Sequence, residues 1–434
     1  MTSGDRELAT IIIDILALSG HVRFQRSFAS LEHMTTDAPA DTKSAVAREC
    51  AAARHRINHH VEAQTKAFLD SVDSGSLNFP DASAWSRAIE QSVSGGKRFR
   101  ALCAQIGAAV AVSQQDDTET APKIANPATV LARAQALPGV EDLAIALEQY
   151  QAAALVHDDI IDRATTRRGA PALHIEVSQD HARRALLGES AAYGVDGAIL
   201  AGDLLLAAAE ASLAKAASSN ATENTTDRDA PVLARYAQMA GEVALGQFRD
   251  MSASYLPLNE QYADAQTAVE ATLDVVRIKA ARYSVVHPAV LGALQVGCDA
   301  DLVHTLETIL EPAGLAFQLR DDALGAFGDP SVTGKPVGID IAEGKRTVLL
   351  ALTWQDASEE ERMALVEIHS NPSPDPADIA TVVKIMETRG NDHHEALIEA
   401  LSAKALRELE DAPLSANAKS LLRCLVDILV VRDT

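Results

Sequence analysis

Leu155-Val156-His157-Asp158-Asp159-Ile160-Ile161-Asp162 closes an apolar, alanine-rich run that begins near Leu143. The run has helical spacing, which predicts a helix over Leu143–Val156 with acids at its end. Asp158 and Asp162 are four apart, so on a helix both carboxylates share one face. Like charges at that spacing cost stability, and a divalent cation between them removes the cost. A few hard oxygen donors on one side suit Mg²⁺, which keeps waters and substrate phosphate as its other ligands. The alternative for these residues is a solvated acidic helix end.

Outward from this stretch lie other charged clusters. Arg167 and Arg168, followed by Gly169-Ala170-Pro171, have the forked donors that clamp phosphates. Phe317–Gly325 repeats the pattern of an apolar helix ending in an acid pair, Asp321-Asp322. Two such pairs in a helical chain suggest facing walls of one cleft. Gly334-Lys335 and Gly344-Lys345 suit a loop that closes on phosphate. Gly95-Gly96-Lys97-Arg98-Phe99-Arg100 lets backbone and cations approach a ligand together. Each of these, taken alone, also fits a solvated turn.

Composition points the same way. Of 434 residues, 47% are apolar and 4% aromatic, a mixture that packs as helices better than as a sheet. The expected fold class is all-α. A net charge of −23 argues against nucleic-acid binding, which needs a basic face. Cys50, Cys103, Cys298 and Cys424 lie far apart, with no zinc or disulfide spacing, as in a cytoplasmic protein. Ile11-Ile12-Ile13 is too short to span a bilayer, and no targeting or transmembrane segment is expected. Residues 1–41 read as a peripheral extension. Residues 42–434 read as one helical domain with surface insertions near 113–127 and 218–231. Helices are expected over about 42–70, from about Ala82 to the glycine pair, and over Val269–Val286.

Together the motifs closely resemble those of the trans-isoprenyl diphosphate synthases. In family order they are GGKRFR (95–100), LVHDDIID (155–162), RRGAP (167–171), GDLLL (202–206), GQFRD (246–250), KAARYS (279–284), FQLRDDALG (317–325) and GKPVGIDIAEGKRT (334–347). The resemblance implies a single large helical bundle of the isoprenoid synthase type, with a central cleft. It implies a Mg²⁺-dependent transferase that joins an allylic diphosphate to isopentenyl diphosphate, with three Mg²⁺ ions once substrate is bound. Asp158, Asp159 and Asp162 would serve one side of the metal site, Asp321 and Asp322 the other. Arg167, Lys279, Lys335 and Lys345 would hold the allylic diphosphate. Lys97, Arg100 and Arg168 would hold isopentenyl diphosphate. Gln247, Asp250 and Gln318 would line the cleft. A homodimer is implied, as is transient membrane contact through a long product.

Three positions depart from the family pattern. Gln151 stands where a His often touches isopentenyl diphosphate, and its amide still donates a hydrogen bond. Ala280 replaces a Thr after Lys279. Gly325 replaces the last Asp of the second acidic motif, a place that Asp329 or Asp340 would have to fill. The rivals are a class I terpene cyclase, which needs no second diphosphate site, and a non-catalytic regulatory subunit. Ala153 and Ala154, about one turn below Asp158, leave room for a growing tail where the family uses bulky residues to stop short products. Tyr150, another turn down, is the candidate floor, with simple packing on a neighbouring helix as the alternative. The expected product is C20 or longer.

Overall fold

Alanine-rich runs form helices throughout the computed structural model, which describes residues 40–72, 82–116, 126–219, 226–328, 338–371 and 373–430. The helices, in chain order, begin with α1 (Ala40–Val72), α2 (Ala82–Val93), α3 (Phe99–Asp116), α4 (Pro127–Gln135) and α5 (Val140–Ile161). Next come α6 (Leu173–Arg183), α7 (Ser190–Ser218), α8 (Thr226–Ser254), α9 (Leu258–Gln261) and α10 (Ala265–Val276). A π-helix, Arg277–Val286, runs on into α11 (His287–Gln295), followed by α12 (Ala300–Phe327) and α13 (Ile339–Ala342). The chain closes with α14 (Val348–Asp356), α15 (Glu359–Ser370), α16 (Pro376–Arg389), α17 (Asn391–Asp411) and α18 (Ala416–Val430). Among the described residues the only strands are β1 (Thr166–Arg167) and β2 (Ala170–Pro171), paired antiparallel. The all-α expectation holds.

The described chain falls into two compact units, each made of separate segments. The first comprises residues 41–236 and 288–299. Its core includes Ile57, Val61, Ile89, Ile145, Val156 and Leu205. Two close backbone approaches shape it. On α7, a Cβ at Gly202 would lie 2.1 Å from His157 Nε2, so the glycine of GDLLL makes room for α5. Between α3 and α11 the fit is reciprocal: a Cβ at Gly107 would meet Ala289 O at 1.9 Å, and one at Gly292 would meet Ala104 O at 1.8 Å. Neither glycine tolerates a side chain, because the obstacle is backbone.

The second unit comprises residues 237–287 and 300–434, and its core includes Val269, Leu273, Leu315, Leu319, Leu349 and Leu401. It holds the main surprise in secondary structure. The stretch Val269–Val286 is α-helical only to Val276 and then widens into the π-helix.

Two expected insertions are shorter than their polar sequences suggest. α3 runs on to Asp116, and Ser113 is buried. Residues 117–125 lie outside the described part, and α4 is already capped by Asn126, whose side chain accepts from Ala128 N at 2.9 Å. Likewise α7 ends at Ser218 and α8 is under way at Thr226, with Pro231 inside it. The expected insertion thus gives way to helix from Thr226 onward. The N-terminal extension, apart from its last two residues, and Lys335 and Asp329 all lie outside the described residues.

Among the described residues α7 is long and apolar enough to cross a membrane by length and composition. Here it packs along α5 and α6.

Candidate active site

The first acidic motif ends α5. Asp162 caps the helix, its N–H bonding to Asp158 O at 2.8 Å, so the two carboxylate-bearing residues stay one turn apart as expected. The chain then reverses. Arg168 (φ 53°) and Gly169 (φ 78°) are the two central residues of the hairpin joining β1 to β2. Two successive positive φ angles define the type I′ turn that fits strand twist, and at Arg168 that angle carries strain.

This turn sends adjacent arginines to different partners. Arg167 donates through Nε to Asp159 Oδ1 at 2.8 Å and through Nη2 to the same oxygen, and lies 3.6 Å from Asp158. Arg168 donates through Nη1 to Ser94 O at 2.7 Å. Asp159 is buried, and burial pushes its carboxyl up despite the opposing pull of Arg167. It therefore serves Arg167, while Asp158 and Asp162 remain half-exposed.

Arg168 reaches the GGKRFR loop. Gly95 (φ 68°), Gly96 (φ 95°) and Arg98 (φ 49°) give that loop its left-handed path, and a Cβ at Gly96 would lie 2.9 Å from Arg168 Nη2. Lys97 is exposed and Arg100 half-buried. Between them Arg98 turns inward. It is buried, donates to Asn58 Oδ1 at 2.5 Å and to Val93 O, and pairs with Glu148 of α5 at 3.4 Å. Glu148 also accepts from Ala101 N at 3.1 Å. This buried pair, which fastens the loop to the helix bearing Asp158, was missed from sequence. The available signal was Glu148, the one charged residue within the helical run Leu143–Val156.

Gln151 lies half-buried on α5. Ala153 is fully buried in the core cluster, whereas Ala154 is half-exposed. Tyr150 packs edge-on against Tyr236 of α8, with ring centroids 5.8 Å apart.

The second unit carries the remaining residues. Asp321 and Asp322 lie before the end of α12, which continues through Gly325 to Phe327, so the acid pair is inside a helix and not at its end. Asp321 is exposed. Asp322 accepts from Gln318 Nε2 at 2.8 Å. Burial, and then the neighbouring Asp340, push its carboxyl up to about 8. Asp340 lies against the space beside Gly325: a Cβ there would lie 2.3 Å from Asp340 Oδ2. The other Asp340 oxygen is 3.3 Å from Lys345 Nζ, and Lys345 also meets Glu343 at 2.7 Å. Lys279, in the π-helix, pairs with Asp250 of α8.

The chemistry of both sets fits magnesium. They are hard carboxylate oxygens, and Asp322 and Asp340 crowd together in a way that a cation relieves. Among the described residues no three metal-ligating side chains converge on one point.

Comparison with known proteins agrees with these motifs. The family model for polyprenyl synthetase matches residues 83–386. The geranylfarnesyl diphosphate synthase of Aeropyrum pernix is 32% identical over 303 residues, covering 69% of this chain and 84% of its own. The geranylgeranyl diphosphate synthase of Saccharolobus solfataricus is 29% identical, covering 67% of this chain and 79% of its own. A crystal structure of geranylgeranyl pyrophosphate synthase from Corynebacterium glutamicum, complexed with isoprenyl diphosphate and magnesium, is 33% identical. It superposes with a TM-score of 0.72, covering 87% of this chain and 99% of that one. The helices, the two arginines set on separate partners and the relatives thus lead to one conclusion: the chain belongs to the polyprenyl synthetase family.

Proposed function

We propose that this prenyltransferase adds isopentenyl diphosphate to an allylic diphosphate and releases a product of C20 or longer, with residues 42–434 serving as one catalytic domain. The carrying observation is the divergence of Arg167 and Arg168. Arg167 is tied to the Asp158–Asp162 motif, and Arg168 to the loop that bears Lys97. Adjacent cations fixed on separate supports suit two diphosphates, whereas a cyclase needs one. Neither a cyclase nor a non-catalytic subunit gains support from the relatives above.

In this reading Arg167, Lys279, Lys335 and Lys345 hold the allylic diphosphate. Lys97, Arg100, Arg168 and Gln151 hold isopentenyl diphosphate. Asp158, Asp162, Asp321 and Asp322 hold magnesium, three ions in the substrate complex, with Asp159 orienting Arg167. Magnesium, when bound, neutralises charge developing on the leaving diphosphate. The cationic side chains do the same work from fixed positions, and apolar helix faces exclude water from the carbocation. Exposed Tyr193, Ile199 and Leu200 on α7 suit a second copy of the chain, hence a homodimer. The reaction belongs to the cytoplasm, with membrane contact only through the long product.

The test combines product and kinetics. The protein is incubated with Mg²⁺, labelled isopentenyl diphosphate and either geranyl or farnesyl diphosphate, and the products are chromatographed. Labelled products of C20 or longer are expected, and an unlabelled hydrocarbon would favour the cyclase. Arg167→Ala should raise the allylic KM by about tenfold and Arg168→Ala the isopentenyl KM. Equal effects on both substrates would reject the division of labour.

A further inference from the structure

We infer that Glu242 is a positioning residue for Lys279: with Arg282 and His287 it fixes the π-helix that carries this lysine. The inference rests on the proposed role of Lys279 at the allylic diphosphate.

Glu242, Gly246 and Asp250 are spaced by four, so they line one face of α8. They meet the π-helix in order. Glu242 accepts from Arg282 Nε at 2.8 Å and Nη2 at 3.3 Å, and its carboxylate lies 2.8 Å from His287 Nε2. Gly246 provides a slot, since a Cβ there would lie 2.9 Å from Lys279 Cβ and 3.0 Å from its Cα. Asp250 then takes the Lys279 ammonium. From α12, Glu311 meets Arg282 Nη1 and Arg277 Nε, each at 3.2 Å, and Gly314 admits Ala281.

A π-helix is a costly winding that persists only where its surroundings hold it. Arg277–Val286 contains neither glycine nor proline. Pro288, just beyond, supplies a local cause, because it lacks an N–H and its ring presses on the carbonyl four residues back. The His287 N–H accordingly bonds five residues back, to Arg282 O. A proline accounts for one disturbed turn. The ion cluster accounts for the rest, because it grips the stretch at Arg277, Arg282 and His287. His287 is wholly buried, and the Arg282 and Glu242 side chains are only 17% and 21% exposed. Burial alone would raise the Glu242 carboxyl, but His287 and Arg282 outweigh it and hold the acid far below the carboxylate range. The cluster therefore favours the carboxylate form of Glu242. Without it the stretch is free to rewind, which would re-aim Lys279 away from Asp250.

The experiment uses Glu242→Gln, Gly246→Ala, Lys279→Ala and the double variant Glu242→Gln/Lys279→Ala. For each, kcat and both KM values are measured with isopentenyl diphosphate and the allylic diphosphate that the product assay identifies. Thermal unfolding is followed alongside. Glu242→Gln should raise the allylic KM by about tenfold and leave the isopentenyl KM unchanged. On the Lys279→Ala background the same substitution should cost no more than about twofold, because the two act as a unit. Gly246→Ala presses on Lys279 and leaves the ion cluster of Glu242, Arg282, His287 and Glu311 untouched. It should repeat the allylic effect, and it carries the test if Glu242→Gln does not fold. No allylic effect of Lys279→Ala would reject the assignment of that lysine and the inference with it. A normal Lys279→Ala loss with full additivity in the double variant, or with unchanged substrate KM in Gly246→Ala, would overturn the positioning role alone.

Discussion

Gly325 and Asp340 show how a single missing side chain is answered elsewhere. A carboxylate at 325 would complete a pair with Asp321, four residues earlier. The structure puts Asp340 Oδ2 in that place, so a new side chain would displace it from Lys345 and add charge beside Asp322. Gly325→Asp is therefore expected to weaken magnesium use rather than improve it. Gly325→Ala and Asp340→Asn should each raise the Mg²⁺ concentration for half-maximal turnover by about tenfold, worth ~1.4 kcal/mol. Titration of turnover against Mg²⁺ checks this, and a superimposable curve for Gly325→Ala would leave Asp340 no part in the site. At this scale the sequence was informative wherever chemistry demands a residue type. Asp158, Asp162, Arg167 and Arg168 announce themselves by charge and spacing. The Arg98–Glu148 pair does not, because its members are 50 residues apart and only the fold joins them.

Helices were legible where composition decides them and illegible where neighbours do. The apolar pattern over Val269–Val286 suits α or π winding equally over so short a span, and the one local signal, Pro288, accounts for a single disturbed turn. Gly246, Gly314 and the ion cluster around Glu242 account for the rest. The edges of the two expected insertions were hard to read for the reverse reason: polar residues that start a helix look like those that make a loop. α5 adds a finer case. Its two small residues were expected to line one tunnel wall, but the step of about 100° between neighbours on a helix gives them different surroundings. Ala153 is buried in the core, while Ala154 is half-exposed, with Tyr150 four residues before it on nearly the same side. One isoprene unit is about one helical turn long, ~5 Å. Ala154→Phe should therefore shorten the main product by one unit or more, and Ala153→Phe should mainly destabilise the core, by about 1–3 kcal/mol. Product chromatography at matched turnover, with thermal unfolding, separates the two. Unchanged products in Ala154→Phe would reject the tail's route along this face.

Across the whole molecule the acidity seen in composition gives little warning of where pH acts on stability. The second unit holds two histidines whose surroundings disfavour protonation, His394 fully buried and His369 half-buried. Burial lowers His394 to about 3, with Arg320 adding to the effect, and lowers His369 to about 4. An unfolded chain protonates these rings near 6.5. Between those values the unfolded state binds more protons, so acid favours it. Their stabilising effect is complete above pH 6.5 and declines as pH falls toward 4 and 3. Each ring adds a slope of up to ~1.4 kcal/mol per pH unit. Tm should fall between pH 7 and pH 5, and His394→Leu should flatten that fall. An identical Tm–pH profile in the variant would show that this ring does not titrate on unfolding.

The reciprocal seam of Gly107 with Ala289 and Gly292 with Ala104 also sets an order on biosynthesis. α3 leaves the ribosome long before α11 exists. Until then its glycine notch has no occupant, and the emerging first unit lacks the one helix that no substitute side chain can imitate. The nascent enzyme must wait, half-built and in need of shelter from aggregation, for a segment encoded beyond most of its own active-site motifs.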